Sequence, residues 1–179
     1  HKIYAINHDG NDLTAPVTSI YIGATPPDAE PEGQPNLPAT GDDINGTNIL
    51  MGGDEDLSPD NFLNPTTLLP YPLIASDNTV LRIPVTNNFS NKAGVLWAFI
   101  DWNGDGLFNG PSETNFKTVN AGFIGNIDFP ITIPNISQSD SIGVRIRITT
   151  GSALDAYGQA PDGEVEDFMV EIRGAEYGD

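Results

Sequence analysis

Ser141-Ile142-Gly143-Val144-Arg145-Ile146-Arg147-Ile148-Thr149-Thr150 alternates along its length. Val144, Ile146 and Ile148 fall on one face, and Arg145 and Arg147 on the other. That two-residue period belongs to a strand with one face against a core. Outward from it, the chain repeats the theme. Residues 164–173 place Phe168, Val170 and Ile172 on one side and Met169, Glu171 and Arg173 on the other. Residues 94–100 (Gly-Val-Leu-Trp-Ala-Phe-Ile) form a nearly continuous apolar run, which predicts a central buried strand with Trp97 and Phe99 in the core. Residues 125–133, with prolines at 130 and 134, read as a further strand. Residues 80–86 alternate around Arg82, and Pro84 predicts an edge position. Residues 17–23 are β-branched and aromatic, and 1–6 suit an edge strand. No segment carries a helical period. The expected fold is all-β, an antiparallel β-sandwich of jelly-roll or Ig-like type.

Composition agrees with a loop-rich β protein. Of 179 residues, 19 are glycine and 15 proline. There is no cysteine, so disulfides and thiolate metal sites are excluded. The charge is −18, from 25 acids against 7 Lys and Arg, and no Lys or Arg lies between Lys2 and Arg82. Such a surface suits cations and disfavours nucleic acid and anionic membrane. No run is long and apolar enough for a membrane-inserted helix. The chain starts at His1 and reads as a piece of a longer or processed protein. It reads as one module, 1–179. Residues 1–70 are an acidic, Pro/Gly-rich leader with one or two edge strands. Residues 71–173 are the sandwich core, and 174–179 link to a following module. The leader groups its acids, Asp42 with Asp43 and Asp54-Glu55-Asp56, among apolar anchors such as Leu37 and Ile49. That grouping predicts an ordered loop region with room for a cation, although composition alone would suit a disordered linker.

The sharpest chemical motif is Asp101-Trp102-Asn103-Gly104-Asp105-Gly106. Oxygen-bearing side chains stand at alternate residues, and a glycine sits sixth, as in a loop that curls around Ca²⁺. Leu107, seventh, would give its carbonyl. The twelfth position, which calls for a bidentate Glu, is Ser112, and Glu113 closes the site only if the loop is one residue slack. The competing reading is an Asx-rich turn without an ion. A second constellation is Gly163-Glu164-Val165-Glu166-Asp167-Phe168. Glu164 and Glu166 share the face of Phe168, so they need a partner, either Arg145 or Arg147 or a cation. The expected metal ligands are therefore Asp101, Asn103, Asp105, Leu107, Glu113 and Glu164, with Glu166, Asp42, Asp43, Asp54 and Asp56 as secondary candidates.

Taken together, 100–106, Val144-Arg145-Ile146-Arg147 and 163–168 resemble the GEVED domain of bacterial secreted and cell-surface proteins. Tyr21-Ile22-Gly23-Ala24-Thr25-Pro26-Pro27-Asp28-Ala29-Glu30 and Ala39-Thr40-Gly41-Asp42-Asp43 look like its acidic leader. The resemblance implies a β-sandwich module of large extracellular proteins and does not imply catalysis. Glu176-Tyr177-Gly178-Asp179 looks like the opening of a following copy. With only His1 and His8 in the chain, no Ser-His-acid or Cys-His arrangement is built. A paired-carboxylate hydrolase is the residual enzymatic reading.

The expected function is a non-catalytic, Ca²⁺-stabilised structural or adhesive module of a bacterial cell-surface or secreted protein, one repeat of an array or filament. Its partners would be neighbouring copies or adjacent domains, or surface glycans and proteins. The alternative is a carbohydrate- or partner-binding accessory module of a secreted enzyme, with Trp102 as a sugar platform if it does not pack beneath the loop.

Overall fold

The computed structural model describes residues 19–24, 57–136, 140–151, 155–157, 160 and 162–174. Their strands are β1 (Ile20–Ile22), β2 (Phe62–Leu63), β3 (Leu73–Ile74), β4 (Asn78–Asn87), β5 (Gly94–Ile100), β6 (Thr114–Val119), β7 (Ile124–Thr132), β8 (Asp140–Thr149) and β9 (Glu164–Arg173). A short 3-10 turn, Pro59–Asn61, precedes β2. The alternating stretch around Arg145 and the last strand form as expected, paired from Asp140↔Ile172 to Ile148↔Glu164. Two sheets result. The first is centred on β4, with β7 along one side and β1 and β2 sharing the other. The second runs β3-β9-β8-β5-β6. Its pairs are antiparallel except the two-residue match of β3 with β9.

The main core lies where strand parity sends the aliphatic side chains. Leu81, Ile83, Val85, Phe129 and Ile131 come from the first sheet. Leu96, Ala98, Ile100, Val144, Ile146, Ile148, Phe168, Val170 and Ile172 come from the second. Ile20, Ile22, Leu57 and Phe62 join the same cluster. The sandwich thus begins before residue 71, and the two short strands of the leader segment are core elements. The edge strand expected at 1–6 and the acidic groups at 42–43 and 54–56 lie outside the described residues, as do 175–179.

Two expectations change. Trp97 and Phe99 leave the main core. Leu96, Ala98 and Ile100 take the inner face, so parity turns Trp97 and Phe99 outward, opposite Arg147 and Arg145. There a second core forms from Phe99, Phe108 and Ala156, with Trp97 and Tyr157 packed against it. β5 is apolar throughout because both of its faces are covered.

Pro84 stands in a central strand, not at an edge. Its carbonyl accepts Gly23 N–H at 2.8 Å, so its imide nitrogen faces the same side. On that side β4 is shared by two short strands. β1 reaches Val85 and β2 reaches Leu81, so the missing donor falls between two ladders.

β6 carries no sequence signal, because Thr114, Phe116, Lys117 and Thr118 are all exposed on an edge strand.

Candidate metal centre

β5 delivers the chain into the acidic loop from the inner end of Ile100. Asp101 N–H donates to Gly143 O at 3.0 Å, which anchors the loop to β8. Trp102 turns under the loop and into the main core, and its Nε1–H donates to Ser112 O at 3.2 Å. At 6% exposure it offers no platform to a sugar.

The next residues curl as the alternation predicts. Asp101 Oδ1 accepts Asp105 N–H at 3.1 Å, and Oδ2 accepts Gly106 N–H at 2.7 Å. Asn103 Oδ1 accepts Asp105 N–H at 2.9 Å, and Asp105 Oδ1 accepts Leu107 N–H at 2.8 Å. Gly104 and Gly106 hold φ of 67° and 77°, a left-handed region that glycine enters without strain. Burial pushes the Asp101 carboxyl up, and the amides of Gly106 and Asp105 oppose that push. A positive ion beside it would favour the charged form in the same sense as those amides.

The donor set fits a hard cation in kind, with two carboxylates and one amide oxygen in a single arc. It is thin in number. Ca²⁺ takes six to eight oxygens, so water and a main-chain carbonyl such as that of Leu107 would complete the shell. Among the described residues, no three acidic or histidine side chains stand close enough to hold an ion.

Glu113 does not close the arc. Its main-chain oxygen accepts Ile100 N–H at 2.9 Å, and its buried carboxylate accepts Gly110 N–H at 2.5 Å. The slack residue is Ser112, at φ 64°.

Glu164 is not brought to the loop. It pairs with Ile148, four residues along β8 from Val144, the partner of Ile100 (148 − 144). That places it about 13 Å along the strand from the loop entrance. Its Oε2 accepts Ile22 N–H at 2.5 Å and so ties β1 to the second sheet.

The arginine option for these glutamates is also overturned. Glu164 and Glu166 oppose Ile148 and Ile146 on the inner face, whereas Arg145 and Arg147 point outward. Arg145 pairs instead with Asp167, directly across the ladder. Its Nε donates to Oδ1 at 2.7 Å, its Nη2 to Oδ2, and its Nη1 to Ala156 O at 2.9 Å. Arg147 Nη1 donates to Asp155 O at 2.6 Å. Burial, with Arg145 adjacent, pushes its guanidinium down to about 10.

Sequence reasoning did not assign Asp162 a role. Its Oδ1 accepts Thr150 N–H at 2.6 Å and Thr149 Oγ1–H at 3.0 Å, and its Oδ2 accepts Thr150 Oγ1–H. It staples the segment between β8 and β9, from which Tyr157 reaches Gly106 O at 3.4 Å. The signal was present as Thr-Thr at the end of one strand and Asp-Gly before the next. Gly163 then holds φ 102°, and a Cβ there would stand 1.7 Å from Ile148 O. Only glycine fits the first position of that motif.

The arc, the buried Arg145–Asp167 pair and the Gly163 turn all lie in one stretch of the chain. Residues 95–171, which lie within β5 through β9, match the family model of the GEVED domain. No curated protein matches the chain.

Proposed function

We propose that this domain is a non-catalytic, Ca²⁺-stabilised structural module of a large bacterial cell-surface or secreted protein. It would serve adhesion or filament building, in contact with neighbouring copies or adjacent domains. The observation that carries the reading is the arc of Asp101, Asn103 and Asp105, curled over its own backbone amides. The charge of −18 and the absence of cysteine support it, because a cation supplies both neutralisation and bracing. No helix among the described residues is long and apolar enough to cross a membrane.

The ion's role is mechanical. It neutralises Asp101 and Asp105 and stiffens the loop that roofs Phe108 and Trp102. An extracellular site of this kind has a dissociation constant of about 0.1–1 mM. At ~1 mM Ca²⁺ it stabilises by roughly 0.4–1.4 kcal/mol through linkage. For a chain of this size that raises the melting temperature by about 1–6 °C.

The test is thermal melting in Ca²⁺ and in chelator, for the native chain and for Asp105→Ala. Ca²⁺ raises the native melting temperature and leaves that of the variant unchanged. A native melting temperature indifferent to Ca²⁺ refutes the proposal.

A further inference from the structure

The acidic loop and its return carry two Asn-Gly pairs, and they are held differently. At Asn103-Gly104 both reacting groups are tied. Asn103 Oδ1 accepts Asp105 N–H at 2.9 Å, and Gly104 N–H donates to Asp101 O at 3.3 Å. At Asn109-Gly110 the asparagine is exposed. Gly110 N–H donates to a carboxylate, Glu113 Oε2, at 2.5 Å. That carboxylate is 1% exposed, so water competes little for it. A Cβ at residue 110 would lie 2.6 Å from the Glu113 carboxyl carbon, so this approach requires glycine.

An Asn-Gly pair can close on itself when the glycine nitrogen attacks the asparagine side-chain carbonyl. The amide nitrogen is a poor nucleophile until its proton is drawn away. A carboxylate already on that N–H is placed to draw it as the new bond forms. We propose that Asn109 is a site of spontaneous deamidation, promoted by the Glu113 carboxylate. The bond from Gly110 N to Asn109 Cγ forms, and the amide proton passes to Glu113. The bond from Cγ to Nδ2 breaks, and Nδ2 leaves as ammonia, carrying that proton with it. Water then opens the five-membered imide at either carbonyl, leaving aspartate or isoaspartate at 109. No electrons are exchanged with an oxidant or reductant. The product adds one carboxylate to the segment that returns the acidic loop to β6. The inference does not rest on ion binding, because neither Asn109 nor Glu113 belongs to the arc of Asp101, Asn103 and Asp105.

The test ages the full chain near neutral pH in chelator and follows both asparagines by peptide-mapping mass spectrometry. In the folded chain Asn109 converts faster than Asn103 by a factor on the order of a hundred, and in urea the two rates converge. Glu113→Gln, shown by circular dichroism to be folded, slows Asn109 and leaves Asn103 unchanged. Equal rates in the folded chain overturn the proposal. So does a rate ratio that persists in urea, which would assign the difference to local sequence alone. A folded Glu113→Gln chain with an unchanged Asn109 rate overturns it too. If that variant does not fold, the folded-against-urea comparison of the native chain decides.

Discussion

Removing the carboxylate of Asp167 should unfold this domain far more readily than removing that of Asp128, although each accepts an arginine fork on a strand ladder. Arg145 and Asp167 have side chains 1% and 18% exposed, against 29% and 40% for Arg82 and Asp128. In Asp167→Ala, Arg145 keeps its bond to Ala156 O but loses both bonds to the carboxylate, and its charge stays beneath the loops. Breaking a buried pair from one side costs about 3–5 kcal/mol. At about 2–4 °C per kcal/mol for this chain length, the melting temperature falls by about 6–20 °C. Asp128→Ala leaves Arg82 in water and is close to neutral. Each variant removes one acid from the same excess of negative charge, so relief of general repulsion cancels in the comparison. Urea denaturation with fitted midpoints and slopes measures both. Asp167→Ala combined with Arg145→Met should be more stable than Asp167→Ala alone, because the stranded charge is gone. If Asp167→Ala is no worse than Asp128→Ala, the pair is not buried as described and the account of the outer face of the second sheet fails.

Gly163→Ala forces a Cβ onto Ile148 O at a φ of 102°. The backbone penalty alone is about 1–3 kcal/mol, so a loss of that size or larger is expected in the denaturation midpoint. Trp102→Ala empties a core position and costs about 3–5 kcal/mol, read by the same assay; a native midpoint would return Trp102 to the surface. The Arg82 guanidinium holds the Asp128 carboxyl below its ordinary 3.8. A lowered folded pKa gives stability that is present above 3.8 and lost as pH falls through the folded value. Asp128→Asn should therefore flatten the acid limb of the stability curve, and a limb identical to that of the native chain counts against the pair.

Strand identity was legible wherever one face carried aliphatic side chains and the other mostly polar ones. That condition holds for β8 and β9, and their parity fixes which residues point inward. It fails for β6, whose outer edge and face meet water, so nothing in Thr114–Val119 alternates. It fails in the opposite way for β5, which is apolar on both faces. The run announced burial, but not that Trp97 and Phe99 belong to a separate cluster. The curl of Asp101 to Gly106 was readable because it is made by neighbours in sequence. The assignment of Glu164 to that loop was not, because spacing along a chain does not say which end of a sheet a residue reaches. Pro84 misled for a similar reason, since edge and interior were inferred without knowing that two short strands divide the flank of β4.

The second core has a consequence for change over generations. Surface connections ordinarily accept extra residues and drift freely in length. The span 101–113 and the described residues of 150–163 are not connections of that kind. They bring Phe108, Tyr157 and Asp162 to fixed seats against one another and against the outer face of the second sheet. An inserted residue in 101–113 would shift the frame of every seat after it. The turn at 64–69, where Leu68 and Leu69 are exposed, bears no such duty. Among the described residues, length variation is therefore better borne at 64–69 than in 101–113, and the acidic span keeps its length whether or not its charges are kept.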